Sequence, residues 1–188
     1  MKTKIFHLVA MLVFLAGTNI VFAEQSEVYI IQVADAISPG TADFIKSGIK
    51  TAEENGAACV IIELDTPGGL AESMRLIVQD ILGSRVPVVV FVYPGGARAA
   101  SAGVMITMAA DVAAMAPGTN IGAAHPVGAG GKDIDGTMSE KVINDMVAQA
   151  KSVAEKRDRN AKWVEDAIRE SVSVTETLSR MEIGRAHV

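Results

Sequence analysis

The chain has 188 residues and a formal net charge of −5, with 17 basic against 22 acidic side chains and a single cysteine. Its 49% of hydrophobic residues supply enough apolar material for one domain with a real core. With no Lys/Arg cluster and only 4% aromatic residues, it lacks the electrostatic footprint and the stacking platforms of a nucleic-acid binder, and no nucleic-acid partner is expected.

Residues 1–23 read as an address rather than as fold. Lys2 and Lys4 form a positive start, residues 5–20 are apolar, and Val21-Phe22-Ala23 offers a small residue at the cut. Cleavage of this signal peptide after Ala23 is expected. The alternative is an uncleaved N-terminal anchor, since the apolar stretch approaches the length of a spanning helix, although His7, Thr18 and Asn19 weaken it. Either outcome puts the body of the chain, residues 24–182, outside the cytoplasm, in the periplasm or on the extracytoplasmic face of a membrane. At the other end, residues 183–188 resemble the translation of a common sequencing adapter. This tail is read as non-native, His187 is set aside as a site candidate, and the native domain is expected to continue beyond it.

Between these ends strand and helix alternate. Residues 28–33 are the first strand, a helical stretch runs from about Thr41 to Glu54, and residues 58–64 are the second strand, where Cys59 reads as a small buried hydrophobe. Leu70, Met74, Ile77, Val78, Ile81 and Leu82 recur at helical spacing, with Gly83 placed to end that helix. Residues 86–93 form a third strand, apolar on both faces and so internal to a parallel sheet. A helix over residues 100–110 and a short strand over 112–116 follow. Repeated βαβ units of this kind specify an α/β fold with a mostly parallel sheet flanked by helices.

After Ile121 glycines accumulate through Gly136, marking a mobile loop or a pair of irregular strands. Helix then returns. Ser139 can cap a segment with Val142, Ile143, Met146, Val147, Ala150 and Val153 on one face, and Asn160 another carrying Trp163, Val164, Ala167 and Ile168. Asp133, Asp135 and Asp145 read as solvated charges, and no metal cluster or cofactor motif is evident.

Two segments carry chemistry. Ala99-Ala100-Ser101-Ala102-Gly103 has small residues two before and two after the serine, as a nucleophile on a sharp strand-to-helix turn requires. If Ser101 opens a helix, the dipole and free N–H groups favour an oxyanion nearby. Asp65-Thr66-Pro67-Gly68-Gly69 exposes backbone N–H groups at a strand's carboxyl end, where open α/β sheets place their ligands. Read separately, each is equally an ordinary packing contact or a Pro-Gly turn.

Together with residues 115–126, which end in His125-Pro126, and with the Ser173-Val174-Thr175-Glu176 region, these segments resemble the Clp protease/crotonase superfamily. More closely they resemble the NfeD-type membrane-associated serine proteases, related to signal peptide peptidase A. The resemblance spans about residues 28–178. It implies a Clp protease/crotonase-like fold and a serine endopeptidase with Ser101 as nucleophile and Gly68, Gly69 and Ala102 as oxyanion-hole donors. The family's lysine base, some forty residues after the serine, falls on Lys141, with Lys132 a weaker substitute. Lys141 in the first turn of its helix would have its ammonium disfavoured by the positive dipole end and by desolvation. His125 matches the histidine of Clp proteases, but the position of the acidic third member falls near Ser171, with Glu170 beside it. Lys141 is therefore preferred as base, and His125 is read with Pro126 and Leu70 as lining the substrate cleft.

The resemblance further implies a polypeptide substrate with hydrophobic segments, from stomatin-like membrane proteins, membrane association of the full-length protein, and a homo-oligomer, dimer or larger. A substrate strand would add to the edge formed by residues 68–70 and 121–127. Two other classes of function stay open: a catalytically silent scaffold in a membrane-protein complex, and a crotonase-like enzyme on acyl-CoA thioesters, which the export signal disfavours.

Overall fold

The computed structural model describes residues 27–128 and 136–183. The expectations for residues 1–23, Lys132, Asp133, Asp135 and His187 lie outside them. The first strand, β1 (Val28–Val33), leads into α1 (Pro39–Glu54), β2 (Cys59–Leu64), α2 (Ala71–Gly83) and β3 (Val88–Val92). Then come β4 (Arg98–Ala100), α3 (Ala102–Ala109), β5 (Val112–Met115) and β6 (Asn120–Gly122). The chain continues through α4 (Gly136–Lys156), α5 (Ala161–Arg169), β7 (Ser173–Thr175) and α6 (Glu176–Glu182).

The β-branched runs form a four-stranded parallel sheet in the order β1-β2-β3-β5. Its register lines up Ile31 with Ile62, Ile62 with Val90 and Val90 with Ala113, all of them buried. Ile31, Ile62 and Val90 make one core with Ile45 of α1, Ile77 and Ile81 of α2 and Met105 of α3, in which each large side chain contributes roughly 1.5–3 kcal/mol. The alternate positions form the other face of the sheet. There Val28 and Ile30 are exposed and Cys59, Ile61, Val89 and Phe91 half-buried, so Cys59 is less enclosed than its sequence context suggests.

Local signals explain the helix boundaries. Ser38 caps α1 by accepting the Thr41 N–H at 3.2 Å, and Pro39 occupies the first turn, where it loses no bond, so the helix starts two residues before Thr41. Gly83 lies inside α2 and Ser84 follows it as the cap. Asn160 caps α5, its side chain accepting the N–H groups of Lys162 and Trp163 at 3.0 Å each. The helix expected from residue 100 begins instead at Ala102, because Arg98–Ala100 is a strand. α4 begins at Gly136, ahead of Ser139, which moves Lys141 from the first turn to the second. Among the described residues no helix is long and apolar enough to cross a membrane.

A second sheet, in the order β4-β6-β7, positions the candidate site. β4 and β6 run parallel, β6 and β7 antiparallel, and a bridge between Thr66 and Ala99 joins β4 to the segment leaving β2. The expected loop after Ile121 thus starts within a strand and becomes irregular after Gly122.

Candidate active site

Ser101 stands between β4 and α3 with φ 52 and ψ −112, a conformation that costs a non-glycine residue about 1–3 kcal/mol and persists only where its surroundings enforce it. Here they do. The Ser101 N–H donates to the Gly122 carbonyl at 3.0 Å, continuing the β4–β6 pairing, and its own carbonyl accepts the Val104 N–H at 3.0 Å as α3 begins. α3 is buried along its whole length, so the serine rides on an element that cannot shift without disturbing the core.

The glycine turn lies directly against it. A Cβ built on Gly68, at φ 110, would fall 2.6 Å from the Ser101 Cβ and 3.1 Å from its Oγ, and one on Gly69 would fall 2.1 Å from the Ile37 carbonyl oxygen. Only glycine fits either place. The hydrogen bonds of this turn separate the expected oxyanion donors. The Gly68 N–H donates to Thr66 Oγ1 at 3.1 Å, while Ile37 pairs with the turn on both sides, donating to the Gly68 carbonyl and accepting the Leu70 N–H, each at 2.8 Å. Between them the Gly69 N–H has no partner among the described residues. The same holds for the Ala102 N–H, which opens α3 and has no intrahelical acceptor. Gly69 and Ala102, rather than Gly68, therefore present the free donors.

At the far end of α3 two arginines close its last turn. Arg159, buried, donates to the Met108 and Ala110 carbonyls, and Arg157 donates to the Ala109 carbonyl and pairs with Asp111. Burial lowers the Arg159 pKa to about 10, with the neighbouring Arg157 charge pushing the same way. Both arginines nonetheless complement the negative end of the helix dipole.

The two candidate bases have different surroundings. His125 is half-buried, and its Nδ1 donates to the Ile168 carbonyl at 3.0 Å, beside the Ala124 N–H bond to the Ala167 carbonyl at 2.9 Å. Both bonds tie this segment to the last carbonyls of α5. A triad would orient the imidazole with a carboxylate, but a backbone carbonyl stands there, and Glu170 and Ser171 are exposed. Lys141 is exposed in the second turn of α4, away from the helix end and the burial on which its expected activation rests. One turn further along the same face, Asp145 pairs with Arg75 of α2 at 3.2 Å, so it is engaged in a surface ion pair. This contact links the exposed side of α4 that carries Asp145 to the helix that leaves the glycine turn. Leu70, at the start of that helix, is 58% exposed, and Pro126 is half-buried.

Sequence reasoning named the glycines and the serine but missed Thr66 and Gly122, the residues that hold them. A threonine two positions before a glycine, its hydroxyl able to accept that N–H, was the available signal for the first. Among the described residues, no group of three or more His, Cys, Asp or Glu side chains is placed to hold a metal ion.

Comparison with known proteins adds a family and a set of neighbours. The family described as NfeD1b, N-terminal domain, matches residues 27–182. The chain is 41% identical over 167 residues to the membrane-bound protease PH1510 of Pyrococcus horikoshii, a match covering 87% of this chain and 37% of that protein. It thus spans little more than a third of that relative's length. Among solved structures it resembles a membrane-bound stomatin-specific protease in two forms. A lysine-to-alanine mutant in complex with a substrate peptide gives TM-score 0.78 at 40% identity, covering 83% of this chain and 72% of that one. A serine-to-alanine mutant gives TM-score 0.76 at 40% identity, covering 82% and 75%. ClpP1 from Listeria monocytogenes, 16% identical with TM-score 0.62 over 81% of this chain and 85% of its own, shares the fold.

Proposed function

The chain belongs to the family of NfeD1b N-terminal domains, and from that premise we propose that it is a serine endopeptidase working through a Ser101–Lys141 dyad. Ser101 Oγ attacks a peptide carbonyl and its proton passes to a neutral Lys141 amine. The Gly69 and Ala102 N–H groups hold the oxyanion, each such donor being worth about 10²–10³ in rate. As the tetrahedral adduct collapses, the lysine returns the proton to the leaving amine. Lys141 then deprotonates the water that releases the acyl-enzyme. The observation that carries this reading is the strained Ser101 conformation pressed against Gly68, with two unpartnered backbone N–H groups beside it.

The lysine is preferred to His125 because the imidazole is engaged by a backbone carbonyl, while Asp145, one turn on from Lys141, is ion-paired to Arg75 of α2. The solved relatives include a serine and a lysine mutant, at positions some forty residues apart, a spacing like that from Ser101 to Lys141. Substrate covering Lys141 would supply the desolvation that its exposed position lacks. The proposed substrates are hydrophobic segments of stomatin-like membrane proteins. This agrees with the name of the solved relative and with exposed Leu70, Val127 and Met138 close in sequence to the candidate residues. The proposal extends to an extracytoplasmic location at a membrane and a homo-oligomer; the signal-like composition of residues 1–23 supports the location.

Labelling with a fluorophosphonate probe tests the reading. Covalent modification is expected on Ser101 and nowhere else. A correctly folded full-length protein left unmodified at Ser101 would favour a catalytically silent scaffold in a membrane-protein complex.

A further inference from the structure

Thr66 is fully buried, yet its side chain is polar and the proposed chemistry makes no direct use of it. It touches both halves of the site. Its Oγ1 accepts the Gly68 N–H at 3.1 Å and donates to the Gly68 carbonyl at 3.2 Å, closing a tight loop around Pro67. Its backbone N–H donates to the Arg98 carbonyl at 2.8 Å, and its carbonyl accepts the Ala100 N–H at 3.1 Å, so the residue is stitched into the strand that delivers Ser101. Its methyl group lies under the first turn of α3, where a Cβ on Gly103 would come within 2.8 Å of Thr66 Cγ2.

We propose that Thr66 is the positioning residue of the oxyanion hole. By engaging the Gly68 N–H it turns that donor away and leaves Gly69 as the one facing the reaction. By its backbone and methyl contacts it fixes the glycine turn relative to Ser101 and the Ala102 N–H. The inference rests on the protease reading and adds to it a division of labour between hydroxyl, methyl and main chain. The hydroxyl selects the donor, and the methyl and main chain set the spacing between donor and nucleophile.

Two substitutions separate these parts in the full-length protein. Thr66→Val keeps the shape and removes the hydroxyl; it is expected to lower kcat about 10–100-fold while KM stays within about twofold, the signature of a misplaced transition-state donor. Thr66→Ser keeps the hydroxyl and is expected to restore kcat to within about fivefold of the original. Amide hydrogen exchange gives a readout that does not depend on activity: the Gly68 N–H should be protected in the original chain and in Thr66→Ser, and exchange at least about 10-fold faster in Thr66→Val. An unchanged kcat in Thr66→Val, or unchanged Gly68 exchange, overturns the proposal. If Thr66→Val does not fold, the exchange of Gly68 in the original chain and kcat of Thr66→Ser decide it, an unprotected amide or an unrescued kcat counting against. If the original chain neither cleaves peptide nor takes the probe, the protease reading fails by itself, and the exchange comparison still decides whether Thr66 holds Gly68.

Discussion

The proposed nucleophile and its proposed base are held by regions of opposite character. Ser101 and the glycine turn are fixed by main-chain hydrogen bonds, by a buried helix and by contacts that leave no room for a Cβ. Lys141 projects from an exposed turn of α4, in a stretch held by half-buried Ile143 and Met146 and by two exposed polar contacts, Arg75 to Asp145 and Arg169 to Asn144. An oxyanion hole must be pre-organised to be useful, and backbone groups are the stiffest donors a protein has. A general base needs only to arrive, so a long flexible side chain on a surface helix is compatible with the task once substrate has displaced water.

The most severe test of this contrast removes the reacting groups. Ser101→Ala is expected to lower peptide cleavage by about 10⁶-fold and Lys141→Ala by about 10⁴-fold or more, with thermal midpoints nearly unchanged; His125→Ala should stay within about 10-fold. Steady-state kinetics on one peptide substrate checks all three, and a fully active Lys141→Ala beside a dead His125→Ala would reverse the assignment of the base. Gly68→Ala should damage the rigid region itself. The new methyl meets Ser101 Cβ at 2.6 Å, and about a 10²-fold loss in kcat with about 1–3 kcal/mol of destabilisation is expected by denaturant titration. The comparable change on the flexible side, Met138→Ala, exposed on α4, should leave stability within about 0.5 kcal/mol.

Arg159→Leu probes whether the rigid region depends on its far end. It strands the Met108 and Ala110 carbonyls at the end of α3, and a loss of about 1–3 kcal/mol per group is expected in the same titration. The smallest effect is placed away from both regions. Burial raises the pKa of Asp80 on α2, against the opposing pull of Lys46. A carboxyl whose folded-state pKa is raised contributes stability below its unfolded value and loses it as pH rises through the folded one. Asp80→Asn should therefore raise Tm by about 1–3 °C at neutral pH, and the gain should vanish by about pH 4. A gain that instead grows on acidification contradicts the burial argument.

Much of the rigid region was legible in the sequence because its signals are local. Val88–Val92 and Cys59–Leu64 are β-branched runs that only an interior strand accommodates, and Gly68, Gly69 and Gly103 mark close approaches. The three-residue strands Arg98–Ala100, Asn120–Gly122 and Ser173–Thr175 were not legible, since each is shorter than any alternation can reveal and exists only by pairing with distant chain. The same holds for the Gly68 N–H, whose loss as a free donor depends on the rotamer of Thr66. On the other side of the site, Lys141 could be named from a family spacing, but its second-turn position follows from a helix start at Gly136, three residues ahead of the Ser139 cap that the apolar periodicity suggests.

The Gly122 carbonyl that receives the Ser101 N–H has a consequence for how the domain comes into being. That carbonyl belongs to β6, and β6 pairs in turn with Ser173–Thr175, near the end of the described chain. During synthesis Gly122 emerges 21 residues after Ser101 but Ser173 emerges 72 residues after it, and non-local pairings of this kind form late. A nascent chain ending after α3 carries Ser101 without the Gly122 carbonyl that holds it in its strained turn. The geometry that the proposed chemistry needs is thus coupled to completion: Ser101 is held in its strained turn only once β6 has been made and has paired.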